Sequence, residues 1–139
     1  MKKIFLPILF LFGLLSASAC TPTCSEELTP AQCANEGTHE YVRTYDFVEG
    51  CGKAAGLVEG VSEITWTFSP QGDTVTFVGF SPNNPPQNLI SIEPNVYRQA
   101  LKTSLPSQVR LAETGFNWLF FDADTNDLCY QAIYTLSEK

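Results

Sequence analysis

The stretch "SEITWTFSPQGDTVTFVGF", residues 62–80, constrains this chain more than any other. Ile64, Trp66 and Phe68 alternate with Thr65 and Thr67, and Val75 and Phe77 alternate with Thr74 and Thr76. Residues two apart share a face only in an extended strand, so each half predicts a strand with one buried face. Between the halves stands Pro-Gln-Gly. Pro70 pre-sets the first turn residue, and Gly72 accepts a positive φ that other residues resist. The pair therefore predicts a tight hairpin, and a hairpin needs further strands to cover its apolar face.

The rest of the chain supplies them. "YVRTYDFVE" puts Tyr41, Tyr45 and Phe47 on one face, and "LISI" and "QVRLAE" each predict a short strand. "FNWLFFDA", "DTND" and "LCYQAIYTL" predict a second hairpin closing the chain. Residues 81–88, "SPNNPPQN", carry prolines that a central strand excludes, and predict a loop. Helical signals are few. Thr29 before Pro30 fits an N-cap and first helical position, predicting a short helix from Pro30 to Glu36 ended by Gly37. In residues 95–105, Tyr97, Ala100, Leu101, Ser104 and Leu105 make a helical stripe between Pro94 and Pro106, predicting an amphipathic helix. The expected fold is mainly β (α+β): an antiparallel sheet as an open barrel or sandwich, with six or seven strands and one or two short helices.

The front of the chain sets where such a domain would work. Met1-Lys2-Lys3 is followed by an apolar run from Ile4 to Leu15 and the small residues Ser16 to Ala19, and then by Cys20. That is the order of a secretory signal peptide, and the run is too short for the roughly 20 apolar residues of a membrane span. "LLSASAC" also resembles a bacterial lipobox, in which small residues precede a cysteine that becomes the lipidated first residue. The usual leucine three places earlier is Ala17 here. The resemblance implies a bacterial lipoprotein with a lipid on Cys20. Cysteine parity agrees with it. Five cysteines in an oxidising compartment leave one over, and lipidation of Cys20 leaves Cys24, Cys33, Cys51 and Cys129 for two disulfides. The favoured pairing is Cys24–Cys33 with Cys51–Cys129. The expected organisation is a signal peptide over 1–19, a lipid-anchored polar segment over 20–40, and a β-rich domain over 41–139. Thr21 stands where aspartate retains many such proteins in the inner membrane, which favours the outer membrane in the cell envelope.

Charge excludes one class of partner. Removing Lys2 and Lys3 takes the net charge from −7 to −9, and such a chain repels nucleic acid and anionic lipid headgroups. No catalytic constellation stands out. His39 is the lone histidine and lies in a polar segment, with no nucleophile elbow beside it. One histidine and disulfide-committed cysteines disfavour zinc, no Cys-x-x-Cys occurs, and "GCGKAAG" (50–56) lacks the Gly-Lys-Ser/Thr ending of a phosphate loop. In "DADTND", Asp122, Asp124, Asn126 and Asp127 have the oxygen ligands of a weak calcium loop. The glycine and final glutamate of such a loop are missing, so a plain turn is favoured and neither metal nor cofactor is expected. Trp66 and Trp118 lie in alternating strands, where core packing is the default, although a barrel interior would make them cavity lining as well. The expectation is a non-enzymatic binding or structural domain tethered to the membrane. The alternatives are an inhibitor or chaperone-like module for a basic protein and a lipocalin-like carrier of a small ligand.

Overall fold

The computed structural model describes residues 24–48, 58–79, 85–100 and 106–138. The signal segment, Cys20, Cys51 and the "GCGKAAG" stretch lie outside the described residues. Eight strands follow one helix: β1 (Gly37–Phe47), β2 (Gly60–Phe68), β3 (Thr74–Val78), β4 (Gln87–Glu93), β5 (Val96–Gln99), β6 (Ser107–Ala112), β7 (Gly115–Phe121) and β8 (Leu128–Leu136). Each strand pairs antiparallel with its sequence neighbours, and β8 returns to pair with β1, closing a barrel. Closure leaves no strand edge exposed. The fold is thus mainly antiparallel β, as the alternation predicts, but the barrel is closed and has one strand more than the upper expectation.

Cross-strand register fixes which side chains fill the interior. Trp66 stands opposite Phe77, and Phe68 opposite Val75, so the opening hairpin has the predicted inward face. Leu111 faces Phe116, and Phe116 faces Tyr134. Tyr41, Ile64, Trp66, Phe77 and Phe116 are wholly or almost wholly buried. Their rings meet edge to face: Trp66–Phe116 centroids lie 4.8 Å apart at 80° and Trp66–Phe77 at 4.9 Å and 68°. This favourable ring geometry adds to the burial itself. Outward positions carry Glu40, Glu63, Arg98 and Arg110, all exposed. Val42, Val61, Val78 and Ile92 are exposed as well, so the outer surface mixes charged and apolar side chains.

The helix α1 (Pro30–Asn35) plugs one end. Thr29 caps it by accepting from the Gln32 amide, and the Gln32 side chain accepts from Thr29 N–H at 2.7 Å, a reciprocal capping box. Six residues do not hold a helix in water alone, so side-chain contacts to the barrel must hold it. Gln32 Nε2 donates to the Gly72 carbonyl at 3.1 Å, in the β2–β3 turn. The Thr29 hydroxyl donates to the Asn95 side chain, in the β4–β5 turn. Asn35 Nδ2 donates to the carbonyls of Ala112 at 2.9 Å and Gly115 at 3.3 Å, beside the β6–β7 turn. From below, the Tyr41 and Tyr97 hydroxyls donate to Asn35 Oδ1 and the Gly72 carbonyl, at 2.9 and 2.6 Å. Gly72 has φ +72°, and a Cβ there would stand 2.4 Å from Gln32 Nε2, so glycine lets both the turn and the plug form. The Cys24–Cys33 disulfide ties the segment before the helix to the helix itself.

Three expectations are corrected. The predicted helix over 95–105 is a strand over Val96–Gln99, and residues 101–105 lie outside the described ones. Asn95 takes φ +62° after Pro94, which turns the chain sharply back along β4. Tyr97 then pairs with Ser91 on one side and Val109 on the other, and this double pairing outweighs a short helical stripe. That strand is the eighth. The boundary at residue 40 is not a structural one either, since β1 begins at Gly37 and the preceding helix is part of the barrel. The 81–88 loop is shorter than expected at its end, because Gln87 and Asn88 already belong to β4.

Asn35 joins the plug to the barrel through both ends of its amide. Asn35→Ala is expected to cost about 2–4 kcal/mol, because it leaves buried carbonyls and a tyrosine hydroxyl without partners. Urea unfolding checks this as a lower midpoint at unchanged slope.

Candidate functional site

The end opposite α1 has no such plug among the described residues, and the inner faces of β1, β4, β5, β7 and β8 enclose a cavity of about 480 Å³ there. Its space comes from one small residue. In the row Tyr45–Ala132–Trp118, set by pairing across β1, β8 and β7, a methyl group stands between two large rings. The row nearer the plug, Arg43–Tyr134–Phe116, has no such gap.

One wall is aromatic. Trp118 stacks on Phe120 with centroids 5.9 Å apart and planes at 8°, and Phe120 stacks on Tyr130 at 4.5 Å and 14°. Facing them are the side-chain amides of Gln87 and Gln99, with Gln99 Nε2 donating to Gln87 Oε1 at 3.1 Å. Arg43 is the one charged side chain among the described residues that line the cavity. Its Nε donates to the Val58 carbonyl at 2.9 Å, and its guanidinium lies 5.8 Å from the Tyr45 ring centroid, a cation–π distance. Arg98 and Arg110 occupy outward positions on β5 and β6, so among the described residues the interior holds a single cation.

The Tyr130 and Tyr134 phenols stay protonated across neutral pH. Burial pushes the Tyr134 hydroxyl well above its ordinary value of 10.0, and the neighbouring Tyr45 adds to this. The charge and hydrogen bond of Arg43 pull it partly back. Burial also raises Tyr130, again with a contribution from Tyr45. The cavity thus has a fixed positive charge beside neutral hydroxyl donors and a wall of stacked aromatic rings.

Of the residues singled out from sequence, Trp118 lines the cavity, and the others that the structure describes fall elsewhere. Cys24 and Cys33 are bonded to each other at the plugged end. Cys129, near the start of β8, is held in a disulfide, while Cys51, its expected partner, lies outside the described residues. His39 is half-buried beside the helix end, with Nε2 2.7 Å from the Glu36 carbonyl, and is more enclosed than its polar neighbours suggest. "DADTND" makes the β7–β8 turn. Asp122 Oδ1 accepts from the amides of Asp124 and Thr125, both at 2.9 Å, which lowers its pKa, and Asn126 takes φ +59°. Asp122, Asp124, Asn126 and Asp127 lie in this turn, and among the described residues no group of three or more histidine, cysteine, aspartate or glutamate side chains is placed to hold a metal. Trp66 belongs to the deep core and Trp118 to the cavity wall. The residues missed were Arg43, Ala132, Tyr130 and Tyr134. Arg43 was legible in principle, since it lies in phase with Tyr41 and Tyr45.

No protein-family model, curated protein or solved structure matches the chain. Among the described residues no helix is long and apolar enough to cross a membrane.

The phenol environment has a consequence for pH. In the unfolded chain tyrosine ionises near 10, whereas Tyr41 and Tyr134 in the barrel hold their protons to higher pH because burial penalises the phenolate. The folded state binds more protons there, so the contribution of these two phenols to stability is constant below about pH 10 and falls as pH rises beyond it. Unfolding midpoints from pH 8 to 12 should show this decline, and Tyr134→Phe should make it shallower.

Proposed function

We propose that the protein is a lipid-anchored carrier of a small ligand in the bacterial cell envelope, holding the ligand in the mouth of its barrel. The cavity beside Ala132 carries this reading. Small-molecule sites are concave and mostly apolar with a few directed polar groups, and run to some 300–1,000 Å³. A volume of about 480 Å³ with one charge, two amides and an aromatic wall answers that description. A purely structural barrel of this size would fill its interior with side chains. The tether rests on Cys20 and its lipobox-like context, and a lipidated Cys20 leaves the other four cysteines for Cys24–Cys33 and Cys51–Cys129. Placement in the outer membrane rests on Thr21. The acidic surface serves solubility in this reading, with no nucleic-acid partner and no cofactor.

Native mass spectrometry of freshly purified protein should show a co-purified small molecule. Ala132→Leu, which fills the gap between Tyr45 and Trp118, should lose it while remaining folded. An empty wild-type barrel that also takes up no apolar fluorescent probe would contradict the carrier reading. Separately, Cys20→Ala should move the protein from the membrane fraction to the soluble one.

A further inference from the structure

We propose that the ligand is a small amphipathic acid, its carboxylate held by Arg43 and Tyr134 and its apolar body laid along Trp118, Phe120 and Tyr130. This rests on the carrier reading and names the ligand class for that cavity. The first support is position. On the inner face of β1, Arg43 occupies a place between Tyr41 and Tyr45 where the pattern of the strand asks for an apolar side chain. A guanidinium set there brings a positive charge into a partly dehydrated interior, where its attraction for an anion is much stronger than in water. The protein is acidic overall, so this charge does not follow from a general basic surface.

Shape is the second support. The guanidinium is a planar fork that fits the two oxygens of a carboxylate, and Tyr134, opposite Arg43 across β1 and β8, adds a hydroxyl donor. A single fixed charge suits a monoanion better than a phosphate monoester. The third support is the wall. Trp118, Phe120 and Tyr130 form one continuous stacked surface, with successive planes within 8° and 14°. Such a surface takes either an alkyl chain or a flat ring, so the acid is defined by its carboxylate and apolar body together. A fatty acid and an aromatic acid are the two sources of this chemistry.

Titration of the full wild-type protein with decanoate, 2-naphthoate, decanol and decyltrimethylammonium, read by tryptophan fluorescence and calorimetry, tests this. At least one acid should bind tenfold or more tighter than decanol, and the cation should bind worst. Which acid binds better separates the alkyl source from the aromatic one. Affinity for the acid should fall as pH drops through the ligand's own pKa, since the protonated acid presents no charge. Arg43→Gln should weaken acid binding by roughly 10- to 100-fold and decanol binding by much less, with Arg43→Lys between. Circular dichroism and an unfolding midpoint show that the variant is folded. Equal binding of acid and alcohol, or tighter binding of the cation, overturns the inference and leaves the carrier reading standing. If no probe binds, the co-purified molecule decides: a neutral or cationic one overturns the inference alone, an acid supports it. An empty barrel overturns both.

Discussion

The interior of an eight-stranded barrel is just wide enough for side chains to fill, so the placing of large and small residues decides where space remains. Near the plug, Tyr41, Trp66, Phe77 and Phe116 meet in edge-to-face contacts and leave no gap. One row towards the mouth, Ala132 stands where its neighbours are Tyr45 and Trp118, and the packing opens. The cavity is thus a product of strand register. A one-residue slip of β8 would turn Ala132, Tyr130 and Tyr134 outward together and remove it.

The plug makes that asymmetry stable. Asn35, Gln32 and Thr29 reach three different turns at one end, so α1 fixes the relative positions of β2–β3, β4–β5 and β6–β7 at once. The Cys24–Cys33 bridge adds to this by restricting the chain that leads into the helix. At the other end the inner faces of the described strands continue into the cavity, and Cys129, near the start of β8, is held in a disulfide.

Local chemistry was legible where it alone decided the outcome. The Pro-Gln-Gly hairpin and the Thr29 cap with Pro30 follow from turn and capping rules, and both form as expected. The β5 strand was not legible, because Tyr97 and Ala100 satisfy a helical stripe and only pairing with two distant strands selects the extended form. Closure was hidden for the same reason, since nothing local in β1 or β8 says that Arg43 will face Tyr134. The cavity depends on that closure. Its aromatic residues read as ordinary core, and its alanine reads as nothing in particular. Arg43 was visible as a charge in phase with apolar neighbours, yet its meaning needed the opposite wall.

In the carrier reading proposed above, the acidic outer surface serves solubility, and Arg43, the one interior cation among the described residues, selects what enters. The most direct measurement is the set of intermolecular nuclear Overhauser effects between bound decanoate or 2-naphthoate and the Ala132 methyl group of the full protein. The account predicts contacts from the ligand's apolar protons to Ala132 and to the Trp118 ring. Contacts confined to outward residues such as Val42 and Val61, or a bound molecule that never approaches Ala132, would contradict it.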